Sequence, residues 1–274
     1  MKKYIDLHMH TNCSDGSKTP SELLAIVRSK KLSAFAVTDH DTIDGYLAIK
    51  EMLIPDDPIL ISGVELSVSL SDGDMHLLAY LFDPESSEFI TALKNFQLTR
   101  QERGKKMVAK LNALGLDISY SDVEKETKGS AVGRPHIAHA LYNAKLTTYY
   151  EEAFHKYISD SGPAYVPKEN FSPKDAIDLV HNAGGVVVLA HPGINNKEKY
   201  LDELSSLGLD GIEAMHSSHK VSDVDKYKHL AEKHHLCVTG GSDYHGLKNR
   251  HGSVGSQNVP YKYFEILLER AKKN

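Results

Sequence analysis

Short apolar runs alternate along this chain with amphipathic stretches of helical period. The runs at Tyr4 to Leu7, Ala34 to Thr38 and Ile59 to Val64 predict strands near the N-terminus. Later strands are predicted at Gly185 to Ala190, Gly211 to Glu213 and Leu236 to Thr239. Alternation of strands with helices is typical of a parallel sheet covered by helices. We therefore expect an α/β fold, and about six or seven such units would suit a barrel with functional loops after its strands.

Local signals mark the start of two helices and one sharp turn. Thr19-Pro20-Ser21-Glu22 places threonine at the N-cap, proline at the first helical position and glutamate at the third. Ser172-Pro173 repeats the cap and the proline. Leu66 to Leu70 and His76 to Phe82 flank Ser71-Asp72-Gly73-Asp74, which predicts a β-hairpin.

The middle of the chain has a different character. Glu88 to Leu114 predicts a long amphipathic helix, and residues 97–168 contain no convincing strand. Several short helices joined by loops are the simplest interpretation of that stretch. We therefore predict a barrel formed by residues 1–96 and 169–274, with a helical insertion, or cap, at 97–168.

Composition narrows the class of protein. The 274 residues are 41% hydrophobic, which is enough for a large core, and the net charge of −5 argues against binding of long nucleic acid. The sequence has no run of about 20 apolar residues, so we expect no membrane span. The N-terminus does not resemble a signal peptide, and Cys13 and Cys237 are far apart, which favours a reducing cytoplasm. The oligomeric state is left open.

Sixteen histidines make their positions worth following. His8 and His10 lie two residues apart at the end of the first strand, so an extended backbone turns both toward one ion. Other metal-type residues also follow apolar runs. The full candidate set is His8, His10, Asp15, His40, Glu65, His76, His191, Asp243 and His245. Any one of these alone is more simply a polar strand cap, but together they favour two or three divalent ions such as Mn, Zn or Fe.

The motifs that carry these residues resemble a known family. DLHMHTNCSDG, VTDHDTIDG, GVE, the later His76, AHP and GSDYH follow the order of the PHP phosphoesterases, and are most similar to the TrpH-like members. Those members include nucleoside 3′,5′-bisphosphate phosphatases and 5′-to-3′ exoribonucleases of short RNA. The resemblance implies a distorted (β/α)7 TIM-like barrel with three metal ions.

The resemblance also implies how the ligands divide. One ion would be held by His8, His10, Glu65 and Asp243, a second by Asp15, His40 and His245, and a third by Glu65, His76 and His191. Asp39 is expected to orient a ligand rather than to bind metal. Cys13 lies beside the ligands within the first motif, where a reactive thiol would make the site sensitive to oxidation.

Phosphate recognition requires cations or donors besides the metals. Arg134, in Gly133-Arg134-Pro135-His136 at a helix start, could grip a phosphate bidentately, with His136 beside it. Lys168 and His219 are further candidates for substrate binding and catalysis, and all three resemble positions that contact phosphate in the TrpH-like group. A surface salt bridge is the simpler alternative for Arg134.

These observations predict a metal-dependent phosphoesterase. The favoured reaction is hydrolysis of the 3′-phosphate of nucleoside 3′,5′-bisphosphates, with trimming of short RNA from the 5′ end as a related activity. Arg134 would assist the metals in neutralising charge on the phosphoryl oxygens, and either His219 or a metal-bound water would protonate the leaving oxygen. A histidinol phosphatase, an amidohydrolase and an inactive PHP scaffold remain as alternatives.

Overall fold

The computed structural model of the chain describes residues 3–70, 73–127, 132–167, 171–246 and 252–274. It shows the expected mixture of helices and strands. The strands are β1 (Tyr4–Asp6), β2 (Ala34–Ala36), β3 (Ile59–Ile61), β4 (Gly63–Leu70), β5 (Gly73–Tyr80), β6 (Val186–Leu189), β7 (Gly211–His216), β8 (Cys237–Gly241) and β9 (Val259–Pro260). The helices are α1 (Pro20–Ser29), α2 (Asp44–Met52), α3 (Ser87–Ala113), α4 (Tyr120–Thr127), α5 (Arg134–Asn143), α6 (Tyr150–Ala153), α7 (Pro173–Asn182), α8 (Leu201–Ser206), α9 (Val221–Lys233) and α10 (Lys262–Ala271). A π-helical turn (Phe154–Ile158) follows α6, and a 3-10 helix (Ile194–Tyr200) precedes α8.

The strands form two linked sheets. Their orders are β3-β2-β1-β9 and β4-β5-β6-β7-β8. Strands β1, β2 and β3 are parallel to one another, and so are β6, β7 and β8. Strand β9 pairs antiparallel with β1, and β5 pairs antiparallel with both β4 and β6. Isolated bridges between Met9 and Tyr244 and between His40 and Glu65 join the sheets where β1, β2 and β8 end. The described strands therefore make two bridged sheets, and a closed seven-unit barrel remains a prediction.

The predicted helix starts and the hairpin are confirmed. Thr19 Oγ1 accepts the backbone N–H of Glu22, and the Glu22 carboxylate accepts the N–H of Thr19, which completes the capping box of α1. Ser172 and Asp175 form the same pair at α7. β4 and β5 pair along their whole length, from Gly63 opposite Tyr80 onward. The sequence therefore determines these boundaries locally.

The third predicted strand differs from the structure. The run Ile59 to Val64 is broken, because β3 ends on the first sheet and β4 begins on the second. A Cβ atom at Gly63 would lie 2.8 Å from the carbonyl oxygen of Val37, so glycine allows the chain to pass this close while it changes sheets. Glu65 consequently lies inside β4 rather than at a strand end.

Two glycines bring β8 against β1. The backbone N–H of Leu7 donates to the carbonyl oxygen of Gly240 over 3.2 Å. At Gly241 a Cβ atom would overlap the backbone of His8. The hydroxyl of Tyr80, from the second sheet, donates to the carbonyl oxygen of Leu7 at 2.8 Å. These contacts place the ends of β1 and β8, from which predicted ligands project, side by side.

Helix α3 connects two hydrophobic clusters. Its N-terminal Phe89 and Leu93 pack with the core of the second sheet, while Met107 and Leu111 belong to a separate cluster with Ile137 of α5. The structure has no strand among the described residues between β5 and β6. The predicted boundary between residues 96 and 97 falls inside α3, and the division into barrel and insertion remains a prediction. No helix in the described ranges has both the length and the apolar character to cross a bilayer.

The seam between β1 and β8 yields a stability prediction. Gly241→Ala should lower the free energy of unfolding by about 2–3 kcal/mol, because the added methyl forces β8 away from His8. Gly115→Ala is the control, since a Cβ there meets no atom within 4 Å and only the positive φ of +85° opposes it, at about 1 kcal/mol. Denaturant unfolding measures the free energy of unfolding of both variants. An equal loss in the two would contradict the close packing of β8 against His8.

Candidate metal centre

Two strand-end loops each supply a pair of ligand-type residues. His8 and His10 follow β1, are 0% exposed, and have ring centroids 5.2 Å apart. Asp243 and His245 follow β8 with the same spacing, and the ring of His245 stacks on that of His10 at 4.1 Å. Asp243 has φ of +51° and His191 has φ of +26°, in the region that favours glycine. Backbone strain of this kind accumulates at functional sites.

Glu65 lies at the centre of the cluster and is 1% exposed. Its Oε2 lies 3.1 Å from His8 Nε2 and 3.2 Å from His10 Nε2. The same oxygen is 3.4 Å from His40 Nδ1. One carboxylate oxygen therefore faces three imidazole nitrogens from two different loops.

The second oxygen of Glu65 faces the other side of the cluster. Its Oε1 lies 2.8 Å from His76 Nδ1 and 3.0 Å from His191 Nε2. His76 comes from β5, directly beside β4, and His191 follows β6. The two oxygens of Glu65 thus connect two subsites.

Asp243 and Asp15 extend the cluster. Asp243 Oδ1 lies 3.3 Å from the Nε2 atoms of both His8 and His10. Asp15 Oδ1 lies 3.2 Å from His245 Nε2, and its Oδ2 lies 3.7 Å from His40 Nε2. Asp15 therefore belongs to a third group of facing ligand atoms.

All nine predicted ligand residues meet at this one place. Ligand atoms within 4.8 Å of one another define three groups that contain every predicted ligand except His191, and His191 contacts Glu65 directly. The groups are His8, His10, Glu65 and Asp243; His10, Asp15, His40 and His245; and His40, Glu65 and His76. The predicted convergence is therefore observed, while the assignment of each residue to an ion stays a prediction.

The spacing of the donor atoms fits divalent ions. Neither ring nitrogen of His10 makes an aligned hydrogen bond with a described residue, although His10 is fully buried, and the same holds for His40 Nδ1. Bonds of about 2.1 Å to one ion would separate a nitrogen and an oxygen ligand by about 3.0–3.4 Å. The contacts of Glu65 and Asp243 with His8 and His10 fall in this range. Unsatisfied buried nitrogens at that separation suit metal coordination.

Charge balance supports the same interpretation. Burial would raise the pKa of Glu65, but the His40, His76 and His8 imidazoles around it hold that pKa well below its usual value. Burial opposes protonation of His10, yet Asp243 and Glu65 raise its pKa to about 10. Burial instead lowers the pKa of His40 to about 3. The buried carboxylates demand positive charge, which protonated imidazole or a cation can supply.

Asp39 supports the ligands from outside the cluster. Its Oδ1 accepts the N–H of Thr11 at 2.7 Å and the hydroxyl of Ser14 at 2.6 Å, which holds the loop between His10 and Asp15. The expected orienting role fits these contacts. Burial raises the pKa of the Cys13 thiol to about 11. The protonated thiol is a poor nucleophile, so this geometry gives no support for an oxidation-sensitive site.

A cavity of about 530 Å³ opens onto the cluster. Its lining includes Asp15, Glu65 and Asp243 of the cluster, together with residues from the middle of the chain. Those from the middle of the chain include Arg100, Arg103, Arg134, His136, Tyr150, Phe154 and one carboxylate, Glu151. Ligand-type residues and cations therefore face one shared space.

Arg134 and His136 lie where the sequence predicts. The Arg134 guanidinium contacts Asp160 Oδ1 at 2.6 Å and Asp74 Oδ2 at 3.3 Å, so its head group is fixed by two carboxylates. His136 Nδ1 accepts the backbone N–H of Gly133 at 3.0 Å, which caps α5, and His136 is among the residues that line the cavity. Arg134 therefore forms the salt bridges of the alternative interpretation and also lines the cavity, while its contact with phosphate remains a prediction.

The two remaining candidates are less well placed. Lys168 lies outside the described residues, so its predicted role stays a prediction. His219 is not part of the cavity wall. Its Nδ1 lies 2.9 Å from the carbonyl oxygen of Ala214, and its Nε2 accepts the backbone N–H of Gly193 at 3.3 Å. With both nitrogens on backbone groups, His219 has no geometry here for protonating a leaving group.

Sequence reasoning missed several residues of the site. Glu213 and His216 are buried on β7 behind the cluster, and the rule of polar residues at strand ends could have found them. Arg100 and Arg103 lie one turn apart on α3 and line the cavity. This long helix is polar on most sides, so its sequence does not show which face meets the cavity. Tyr150 and Phe154 form a matching aromatic pair in a short helical stretch.

Curated relatives match nearly the whole chain. It is 30% identical to the 3′,5′-nucleoside bisphosphate phosphatase of Chromobacterium violaceum over 93% of this chain and 92% of that protein. It is 29% identical to the 5′-3′ exoribonuclease Rnm of Escherichia coli, over 88% and 84% of the two chains. The phosphoribosyl 1,2-cyclic phosphate 1,2-diphosphodiesterase of Eggerthella lenta is also 29% identical, over 91% and 97%.

Solved structures share the fold. A Bifidobacterium adolescentis protein assigned as a metal-dependent phosphoesterase superposes with a TM-score of 0.87 at 32% identity, over 98% of this chain and 96% of the other. A Chromobacterium violaceum protein described as an amidohydrolase, with bound sulfate and no metal, gives 0.84 at 27% identity over 97% and 96%. The model of the PHP domain family matches residues 6–184. This chain therefore belongs to the PHP domain family and is a metal-dependent phosphoesterase.

Proposed function

We propose that this enzyme removes the 3′-phosphate from nucleoside 3′,5′-bisphosphates. One observation carries the proposal: a single cavity is lined both by the ligand cluster and by three arginines and two aromatic rings. The cluster suits the phosphate that is cleaved, and the arginines suit a second phosphate of the same molecule. The relative with 30% identity, a 3′,5′-nucleoside bisphosphate phosphatase, supports this choice.

In this proposal the nine clustered residues hold two or three divalent ions, with manganese favoured over zinc or iron. Bound there, such ions supply Lewis-acid stabilisation of phosphoryl oxygens and lower the pKa of water. The residues fix the geometry. Glu65 bridges subsites through its two oxygens, while Asp15 and Asp243 hold the remaining positions beside His10 and His245.

The arginines are arranged to bind an anion. The guanidinium groups of Arg103 and Arg134 lie 5.4 and 5.7 Å from the ring centroid of Tyr165. Arg103 Nη2 is buried and makes no aligned hydrogen bond with a described residue, and its nearest carboxylate oxygen, on Asp74, is 3.7 Å away. In this proposal a small rotation of the Arg103 guanidinium would turn that donor toward a phosphate in the cavity for a charge-assisted contact.

Two aromatic rings offer a surface for a base. Tyr150 and Phe154 lie four residues apart, with ring centroids 5.7 Å apart, and both line the cavity. Stacking of a base on an aromatic ring contributes about 1–3 kcal/mol and tolerates different bases. These rings suit a nucleotide better than the smaller imidazole of histidinol phosphate, the alternative phosphatase substrate.

The amidohydrolase fold of the alternative typically adds a carboxylated lysine to its metal ligands. No lysine lines the cavity within the described part of the chain. A second candidate function is removal of nucleotides from the 5′ end of short RNA, which the similarity to exoribonuclease Rnm favours. It would use the same ligand cluster and the same arginines.

Loss of one central ligand should remove metal and turnover together. His10→Ala should lower the metal content by at least one equivalent and reduce kcat by more than a hundredfold, because His10 belongs to two of the ligand groups. Elemental analysis and a phosphate-release assay measure the two effects. His229→Ala, on an exposed position of α9, is the matched control. Full turnover by His10→Ala at limiting manganese would refute the assignment.

Metal should also stabilise the fold, because ions relieve the repulsion among the buried carboxylates. Free manganese at a hundred times its dissociation constant should add about 2.7 kcal/mol to the free energy of unfolding. Denaturant titration with manganese and with a chelator tests this. Identical unfolding midpoints under both conditions would contradict a metal site built from these residues.

Arg134→Gln should discriminate between substrates. We expect kcat/KM for a nucleoside 3′,5′-bisphosphate to fall by about 10–100-fold, while that for a nucleoside 3′-monophosphate changes by less than about threefold, because only the former has a second phosphate for the guanidinium. Arg28→Gln is the control, since Arg28 pairs with Asp57 on the surface. Equal losses for both substrates would show that Arg134 does not recognise the second phosphate.

A further inference from the structure

Glu213 is a buried carboxylate that lies behind the ligand cluster. It is 0% exposed and lies within β7. Its Oε1 lies 2.9 Å from His8 Nδ1, and its Oε2 accepts the backbone N–H of His191 at 2.8 Å. These two histidines belong to different parts of the cluster, so one carboxylate connects both from outside.

The contact with Glu213 selects the tautomer of His8. An ionised carboxylate can only accept hydrogen bonds, so the proton of neutral His8 must lie on Nδ1. The lone pair of His8 Nε2 is then directed toward Glu65 and Asp243, which lie 3.1 and 3.3 Å away. That lone pair is the one a metal requires.

His216 has the opposite tautomer. The backbone N–H of Ser218 donates to His216 Nδ1 at 3.1 Å, so the proton of the neutral ring lies on Nε2. That nitrogen is buried, makes no aligned hydrogen bond to any residue that the structure describes, and lies 3.3 Å from Asp243 Oδ2. A protonated nitrogen cannot bind metal, but a small rotation aligns it as a donor to Asp243. The other oxygen of Asp243 then faces His8 and His10.

We infer that Glu213 and His216 are positioning residues, which hold His8, the His191 backbone and Asp243 in the orientation that binds metal. This rests on the proposed function, since it requires that His8 and Asp243 bind ions. The ligand atoms of His8, Glu213 and His216 also lie within 4.8 Å of one another, as in a metal site. The inference assigns these residues a positioning role instead of a further ion. In that group the nitrogens that face Glu213 and Asp243 carry protons and have no free lone pair.

Glu213→Gln tests the inference. Glutamine has one acceptor oxygen, so its amide N–H₂ must face either His8 Nδ1–H or the His191 N–H, and one contact is lost. We expect manganese affinity, measured by competition with a chelating dye, to fall by about 10–100-fold. Saturating manganese should restore most of the turnover.

Asp210→Asn is the matched control for burial and charge. Asp210 is also a buried carboxylate next to β7, and its Oδ2 contacts His181 Nε2 at 2.7 Å and accepts the N–H of Val187 at 2.9 Å. It lies outside the ligand groups. Asp210→Asn should therefore lower stability without changing manganese affinity. Equal affinity in the two variants would make Glu213 a purely structural residue and overturn the inference.

A second pair of variants covers the case in which Glu213→Gln does not fold. His216→Gln keeps an N–H donor for Asp243 and should retain affinity within about threefold, whereas His216→Leu removes the donor and should weaken manganese binding by about tenfold. Equal affinity in both His216 variants would overturn the role of His216. Loss of a whole metal equivalent that excess manganese does not restore would make the residue a ligand instead. If the wild-type protein bound no metal, the proposed function would fail together with this inference.

Discussion

The architecture depends on placing several carboxylates and imidazoles together away from water. Glu65, Asp243 and Asp15 are buried or nearly so, and their charges cannot be solvated where they lie. Desolvated charge is costly unless opposite charge lies close by, and bound cations meet that requirement best. This requirement accounts for the histidine tautomers and for Glu213, the carboxylate behind the cluster. It also accounts for the close approach of β1 and β8. Cations bound there would also attract the phosphate group of a substrate.

The fold meets this constraint through close backbone approach. The chain passes from the first sheet to the second at Gly63, and β8 packs against His8 at Gly241. A side chain at either position would displace the neighbouring backbone. Strand ends from both sheets thereby deliver ligands to one place. The cavity beside the cluster is also lined by the helices between β5 and β6, whose Arg100 and Arg134 pair with Asp41, Asp74 and Asp160. The ligand cluster and the arginines of the cavity are thus contributed by different parts of the chain.

The ligand cluster could be predicted because strand-end placement is a local property, visible in runs such as the one before His8 and the one before Asp243. The fold class and the helix caps could be predicted for the same reason. The change of sheet at Gly63 could not, since it depends on contact with Val37 from another strand. Arg103 also gave no signal, because only the packing of α3 shows which helical face meets the cavity. His219 was expected to act on substrate, but its nitrogens contact backbone groups that lie apart in sequence.

Anomalous scattering from crystals of the manganese-loaded protein tests the central claim most directly. The account predicts two or three peaks enclosed by the nine residues, with one about 2.1 Å from Glu65 Oε2 and from the Nε2 atoms of His8 and His10. Peaks elsewhere on the protein, or no peak near Glu65 at saturating manganese, would contradict it.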